Sequence, residues 1–178
     1  MPFKVIRSKS VYKGCVFNVR QDEVRRDDGG VMRLDVVEHG DSVTIIPLDE
    51  DGNIWFVDQY RHPAGEKLLE LPAGVIENGD PAEECAFREI REEIGMACNL
   101  LEPIGSFYLA PGYTTEFMYV FLALELYSNP LQADEDEFIT VEKIPAGAAM
   151  KMAEEDKIKD VKTLGALLLA RSRLLGQV

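Results

Sequence analysis

Glu89, Glu92 and Glu93 stand at positions i, i+3 and i+4. On a helix that spacing puts three carboxylates on one face. The stretch 81–94 reads as such a helix. Asp80 suits the N-cap, Pro81 the first helical position, Glu83 the matching place of a capping box, and Gly95 the left-handed residue that ends the helix. The cluster then lies near the helix C-terminus, where the carboxylates repel one another and the negative end of the dipole repels all three. Folding alone does not select that arrangement. A hard divalent cation, which prefers oxygen ligands, would offset it. Arg88 and Arg91 could balance part of the charge without an ion, so the spacing by itself leaves a cation site and a solvated acidic face both open. A second acidic run, Asp134-Glu135-Asp136-Glu137, lies further along the chain.

The whole chain is acidic, with 19 basic and 32 acidic residues among 178 and a net charge of −13. The excess begins after residue 46, because residues 1–46 are nearly balanced. A phosphate-backbone binder carries a basic surface, so nucleic acid is excluded as the main partner. The chain is long enough for one cored domain with a small appendage. No apolar run reaches the roughly 20 residues that span a bilayer, and residues 1–10 lack the apolar centre of a signal peptide. Cys15, Cys85 and Cys98 are odd in number and scattered, which suits a reducing compartment. A cytoplasmic protein is the expectation.

Other elements must hold the acidic helix in place. Residues 11–13, 16–24 and 31–37 alternate apolar and polar, as half-buried strands do, with Asp28-Gly29-Gly30 as a hairpin turn. Residues 42–48 and 54–60 form a more apolar hairpin around 49–53. Short strands follow at 68–73, 104–109, 116–126 and 138–143, with a polar loop at 127–137. A short helix is expected at 146–155 and an apolar core helix at 160–175. This order predicts an α+β protein, an α/β/α sandwich with a mixed sheet between helices and antiparallel strands at its N-terminus. The division expected is 1–40, a strand region that dimerises, and 41–178, the main domain.

The segment 74–96 resembles the Nudix box, Gly-x5-Glu-x7-Arg-Glu-U-x-Glu-Glu-x-Gly-U, where U is bulky and apolar. Gly74, Arg88, Glu89, Ile90, Glu92, Glu93, Gly95 and Met96 match in place, and Asp80 replaces the first Glu. The resemblance implies the Nudix fold and a hydrolase of nucleoside diphosphates linked to a second moiety. It implies Mg²⁺ or Mn²⁺ held by Glu89, Glu92 and Glu93, with the Ala73 carbonyl and Glu137 completing the set. Such ions bridge diphosphate oxygens and lower the pKa of an attacking water.

Further stretches resemble the ADP-ribose pyrophosphatase branch. Pro111 lies sixteen residues after Gly95, and Pro111-Gly112 opens the loop that leads to Glu116. The resemblance gives Glu116 to the terminal ribose, reached across the interface of a homodimer, and gives Arg61 to the diphosphate, a task that suits a guanidinium. Arg33 is a candidate for the adenine or phosphate end, and Phe17 for stacking on adenine. Glu135 resembles the general base, with Glu92 as the competing candidate, and Arg88, which matches the Arg of the box, is placed with them as a catalytic residue. His39 and His62 lack ligand spacing and receive no role. The expected reaction is hydrolysis of ADP-ribose to AMP and ribose 5-phosphate. Other ADP-sugars, GDP-mannose, FAD and NADH are alternative substrates, and a nucleotide sensor without catalysis is the alternative of another class.

Overall fold

The computed structural model describes residues 3–77, 79–132 and 139–176. In chain order the elements are β1 (Phe3–Lys13), β2 (Asn18–Arg26), β3 (Val31–Glu38), β4 (Ser42–Pro47), β5 (Asn53–Arg61), β6 (Glu66–Glu70), β7 (Ala73–Val75), α1 (Ala82–Glu93), β8 (Met96–Tyr108), β9 (Phe117–Ser128), β10 (Ile139–Pro145), α2 (Ala146–Glu154) and α3 (Val161–Leu174). The chain forms two compact units. One is Met1–Asp41 with Tyr108–Phe117; the other is Ser42–Phe107 with Met118–Val178.

In the first unit β1, β2 and β3 form an antiparallel sheet in that order. The expected Asp28-Gly29-Gly30 turn is present: the Gly30 N–H donates to Asp28 Oδ1 at 2.9 Å, and Gly29 takes φ +82°. β1 is much longer than the 11–13 expected from alternation. Irregularities between Val5 and Arg7 and between Ser10 and Tyr12 reset its pairing, so the period of two breaks twice within one strand. Inside this sheet Asp22 is buried and accepts from Ser8 Oγ and from Arg20 Nε. The open edge of β3 is met by the 110–115 loop: the Val37 N–H donates to Tyr113 O at 2.7 Å and the Thr115 N–H to Val37 O at 3.0 Å.

The second unit carries two sheets. A mixed sheet runs β7-β4-β9-β8, with β4 parallel to β9 and antiparallel to β7. An antiparallel sheet runs β10-β5-β6, so β4 and β5, expected as one hairpin, lie in different sheets and meet as strands only at the Leu48–Ile54 bridge, because β4 takes β7 and β9 as its neighbours. Every residue of β4 is buried. Val43 and Ile45 pack with Cys85, Ala86, Ile90 and Ile94 of the α1 region. Side chains alternate along a strand, so Thr44 and Ile46 face the other way, and α3 packs against β4 as well. β4 is thus the middle layer of an α/β/α arrangement. Glycines let α3 lie close to β8: a methyl group at Gly165 would meet Phe107 at 2.8 Å, and one at Gly105 would meet Leu169 at 2.8 Å.

The expected strand 68–73 is two strands, β6 and β7. Pro72, which has no N–H to give a ladder, separates them, and its carbonyl accepts from the Ile45 N–H at 2.9 Å. β8 begins directly after α1 at Met96, well before residue 104. Cys85 and Cys98 are buried, and burial pushes their thiols up to about 12 and about 11. Among the described residues no helix is long and apolar enough to cross a membrane.

Candidate functional site

α1 carries the acidic face. Its N-terminus departs from the expected capping box: Pro81 is the N-cap, with φ −64° and ψ 145°, and no side chain caps the helix. Proline in that extended geometry delays the first helical residue to Ala82. The N–H groups of Glu84 and Cys85 turn to the Pro81 carbonyl at 3.1 and 3.2 Å instead. At the other end Gly95 takes φ +69°, the left-handed conformation expected of it.

Two positions of β7 stand against two of the carboxylates. The Ala73 N–H donates to Glu93 Oε2 at 3.2 Å, and Glu93 is only 8% exposed. Glu89 lies against Gly74, where a methyl group would meet its Oε1 at 2.1 Å. Burial raises the Glu89 carboxyl above its ordinary value, and the Arg88 guanidinium acts in the opposite direction.

Arg88 is the hub of this face. Its Nη2 donates to Glu89 Oε1 at 2.9 Å; its Nε stands 3.6 Å from Glu92 Oε2; its Nη1 is 3.5 Å from Glu77 and 3.7 Å from Asp80. Asp80 therefore faces Arg88 rather than the helix N–H groups. One guanidinium partly balances four carboxylates. Among the described residues no three Asp, Glu, His or Cys side chains converge closely enough to hold an ion unaided. The donor set nevertheless fits a hard divalent cation. It is all oxygen, it is undercharged by a single arginine, and the glycine at 74 leaves room for the Glu89 carboxylate. Glu135 and Glu137 lie outside the described residues. The segment just before them is tied to α1: the Leu131 N–H donates to Arg91 O at 3.0 Å, the Asn129 N–H to Gly95 O at 3.1 Å, and Arg91 Nε to Asn129 O at 3.1 Å.

Arg61, at the end of β5, makes a two-pronged pair with Glu70. Nε and Nη2 donate at 2.8 and 2.7 Å, while the Arg61 side chain remains 41% exposed. Glu70 is 1% exposed and also accepts from Lys162 Nζ. Burial acts to raise the Glu70 carboxyl, but Arg61 and Lys162 outweigh it and hold the group below the usual carboxylate range. Sequence reading missed Glu70, Lys162 and Thr163, which the fold brings together from 92 residues apart. The Asp160-x-x-Thr163 spacing, an N-cap signature, was the available signal for the α3 end of this group.

The first unit holds the remaining candidates. Pro111 and Gly112 line a cleft of about 480 Å³ with Asp35, Tyr108, Tyr113 and Thr115 among its walls. Glu116 Oε1 lies 3.8 Å from His39 Nδ1, and the His39 N–H donates to Thr115 Oγ1, so a histidine given no role in the sequence is part of this corner. Arg33 is exposed on β3 opposite Glu23. Phe17 packs on Tyr12 with ring centroids 5.9 Å apart.

Residues 38–164 match the model of the NUDIX domain. An ADP-ribose pyrophosphatase of Bacillus subtilis (strain 168) is 32% identical over 166 residues, covering 92% of this chain and 90% of that protein. One from Mycobacterium tuberculosis (strain ATCC 25618 / H37Rv) is 35% identical over 169 residues, covering 93% and 82%. A crystal structure of an ADP compounds hydrolase superposes with a TM-score of 0.89 at 24% identity, over 99% of this chain and 96% of that one, which shows a shared fold. A helix with its glutamates set against Ala73 and Gly74, within a domain matched from residue 38 to 164, has one consistent reading: the chain belongs to the Nudix hydrolase family.

Proposed function

We propose that this protein hydrolyses the diphosphate of ADP-ribose, releasing AMP and ribose 5-phosphate, with Mg²⁺ or Mn²⁺ as the working ion. The observation that carries the reading is the placement of Glu89 and Glu93 against the backbone of Gly74 and Ala73. Two relatives that are ADP-ribose pyrophosphatases, similar over most of their length, support the choice of substrate.

Nudix hydrolases use divalent metal ions. Glu89, Glu92 and Glu93, with the Ala73 carbonyl and Glu137, are the residues proposed to hold them. When bound, such ions neutralise diphosphate oxygens and acidify the attacking water. The chain's own groups do the rest. Arg88 keeps the carboxylates from repelling one another apart. Arg61, with part of its guanidinium side chain in water, pairs with phosphate oxygens. Glu135 takes the proton of the attacking water, and Glu92 is the competing base. The mooring of residues 129–131 on the last turn of α1 supports a role for the acidic loop that follows. The cleft beside Pro111 and Gly112, with Glu116 and Arg33, is proposed to take the nucleoside and sugar ends of the substrate, in a homodimer. Phe3, Val5, Ile6, Val11, Tyr12 and Val16 are all exposed in the first unit, which favours that assembly.

The test is a panel of ADP-ribose, another ADP-sugar, GDP-mannose, FAD and NADH, each with Mg²⁺, Mn²⁺ or EDTA, with products separated by chromatography. ADP-ribose should give AMP and ribose 5-phosphate with the highest kcat/KM, and EDTA should abolish the reaction. Binding without turnover of any compound would replace the enzyme with a sensor. Faster cleavage of GDP-mannose would overturn the substrate assignment.

A further inference from the structure

A chain of buried polar contacts joins the first turn of α3 to the strand that carries Ala73. Asp160 is the N-cap of α3 and accepts from the Thr163 N–H at 3.0 Å and from the Thr163 hydroxyl at 2.6 Å. Asp160 also meets Lys162 Nζ at 2.9 Å, and Lys162 donates to Glu70. With its proton committed to Asp160, the Thr163 hydroxyl has only lone pairs left to offer, and it accepts the Leu71 N–H at 2.9 Å. Thr163 is completely buried, so no water can replace that acceptor.

Each residue from 70 to 73 is held in turn. Arg61 and Lys162 hold the Glu70 carboxylate, and Thr163 holds the Leu71 N–H. The Ile45 N–H and the Thr44 hydroxyl hold the Pro72 carbonyl, at 2.9 and 3.2 Å. The Ala73 N–H in turn holds Glu93 Oε2. A shift at Leu71 therefore passes along the backbone through Pro72 to the Ala73 N–H, which donates to the Glu93 carboxylate.

We propose that Thr163 is a positioning residue for the acidic site: through Leu71 it sets where the Ala73 N–H places Glu93. The inference rests on the reading of Glu93 as a metal-holding residue. Thr163 touches neither substrate nor ion. Its effect belongs to the class of outer contacts that orient a ligand.

Mn²⁺ binding to the full chain, followed by electron paramagnetic resonance without any substrate, gives a readout independent of turnover. The variants are Thr163→Val, which keeps the shape and removes the acceptor, Thr163→Ser, which keeps the hydroxyl and loses the methyl, and Glu93→Gln. Thermal unfolding in EDTA locates the temperature range in which each is folded. Thr163→Val should weaken Mn²⁺ binding about 10-fold or more, the scale on which outer contacts act at metal sites. Thr163→Ser should bind as the wild type does. A folded Thr163→Val with unchanged Mn²⁺ affinity would overturn the proposal, and so would a Ser variant as weak as the Val one. If Thr163→Val does not fold, Thr163→Cys, with its poor acceptor, carries the same comparison. The two readings separate cleanly. Equal Mn²⁺ affinity in wild type and Glu93→Gln defeats the metal assignment and this inference with it. Loss in Glu93→Gln with none in Thr163→Val defeats this inference alone.

Discussion

The Glu89 carboxylate occupies the space in which a side chain at position 74 would begin: a methyl group on Gly74 would stand 2.1 Å from Glu89 Cδ. The glycine is needed for the space it leaves and not for backbone freedom, because its φ is not in the left-handed region. Gly74→Ala should therefore move a flexible carboxylate and leave the backbone in place. We expect kcat/KM to fall about 100-fold, the usual consequence of a 1 Å misplacement at a reacting centre. The melting temperature should change little. Steady-state kinetics and a thermal melt of the same preparation check both.

Glu70→Gln should uncouple acid sensitivity from folding. The Glu70 carboxyl is held below its ordinary value, so its contribution to stability is present above about pH 4.3 and is lost as pH falls through the depressed folded value. At neutral pH the variant strands two cations around a buried amide. It should be less stable by about 3 kcal/mol, the lower end for breaking a buried pair, since Arg61 reaches water. The gap between wild type and variant should shrink on acidification below pH 4. Urea unfolding at a series of pH values measures it, and a gap that stays constant would refute the assignment.

Glu89→Gln and Glu93→Gln should lower kcat by orders of magnitude while the circular dichroism spectrum is retained. The base is identified by comparing Glu135→Gln with Glu92→Gln. The true base should cost about 10²- to 10⁴-fold in kcat and remove the acidic limb of the pH–rate profile.

Sedimentation should show a dimer. β1 is an end strand of its sheet and is exposed along its whole length, a surface that soluble proteins seldom leave uncovered. Val11→Glu should shift the equilibrium to monomer. If Glu116 serves the partner's substrate, activity should fall with it, most steeply at low protein concentration. A wild-type monomer with full activity would remove the cross-subunit role.

The acidic helix was legible because its signals are local. The i, i+3, i+4 glutamates and Gly95 need only α1 itself to be understood. Its start was misplaced by one residue because Asp80 and Pro81 both suit a helix N-terminus, and the choice fell to Pro81's extended geometry. The Glu70–Lys162 contact could not be read, since nothing in either neighbourhood announces a partner 92 residues away. β1 was shortened because its two irregularities break the alternation that identifies a strand. Arg61 illustrates a middle case: its residue type suggested phosphate, and only the fold revealed that Glu70 already holds two of its nitrogens.

The edge of β3 is met by a loop that lies far along the chain, with His39 and Thr115 bonded across 76 residues. During synthesis the first three strands leave the ribosome well before residues 110–115 exist. At about 5–20 residues per second they wait several seconds with that edge open. Nascent chains are then most vulnerable to pairing with one another through β3. Slowing translation between residues 41 and 110 should lower the soluble yield.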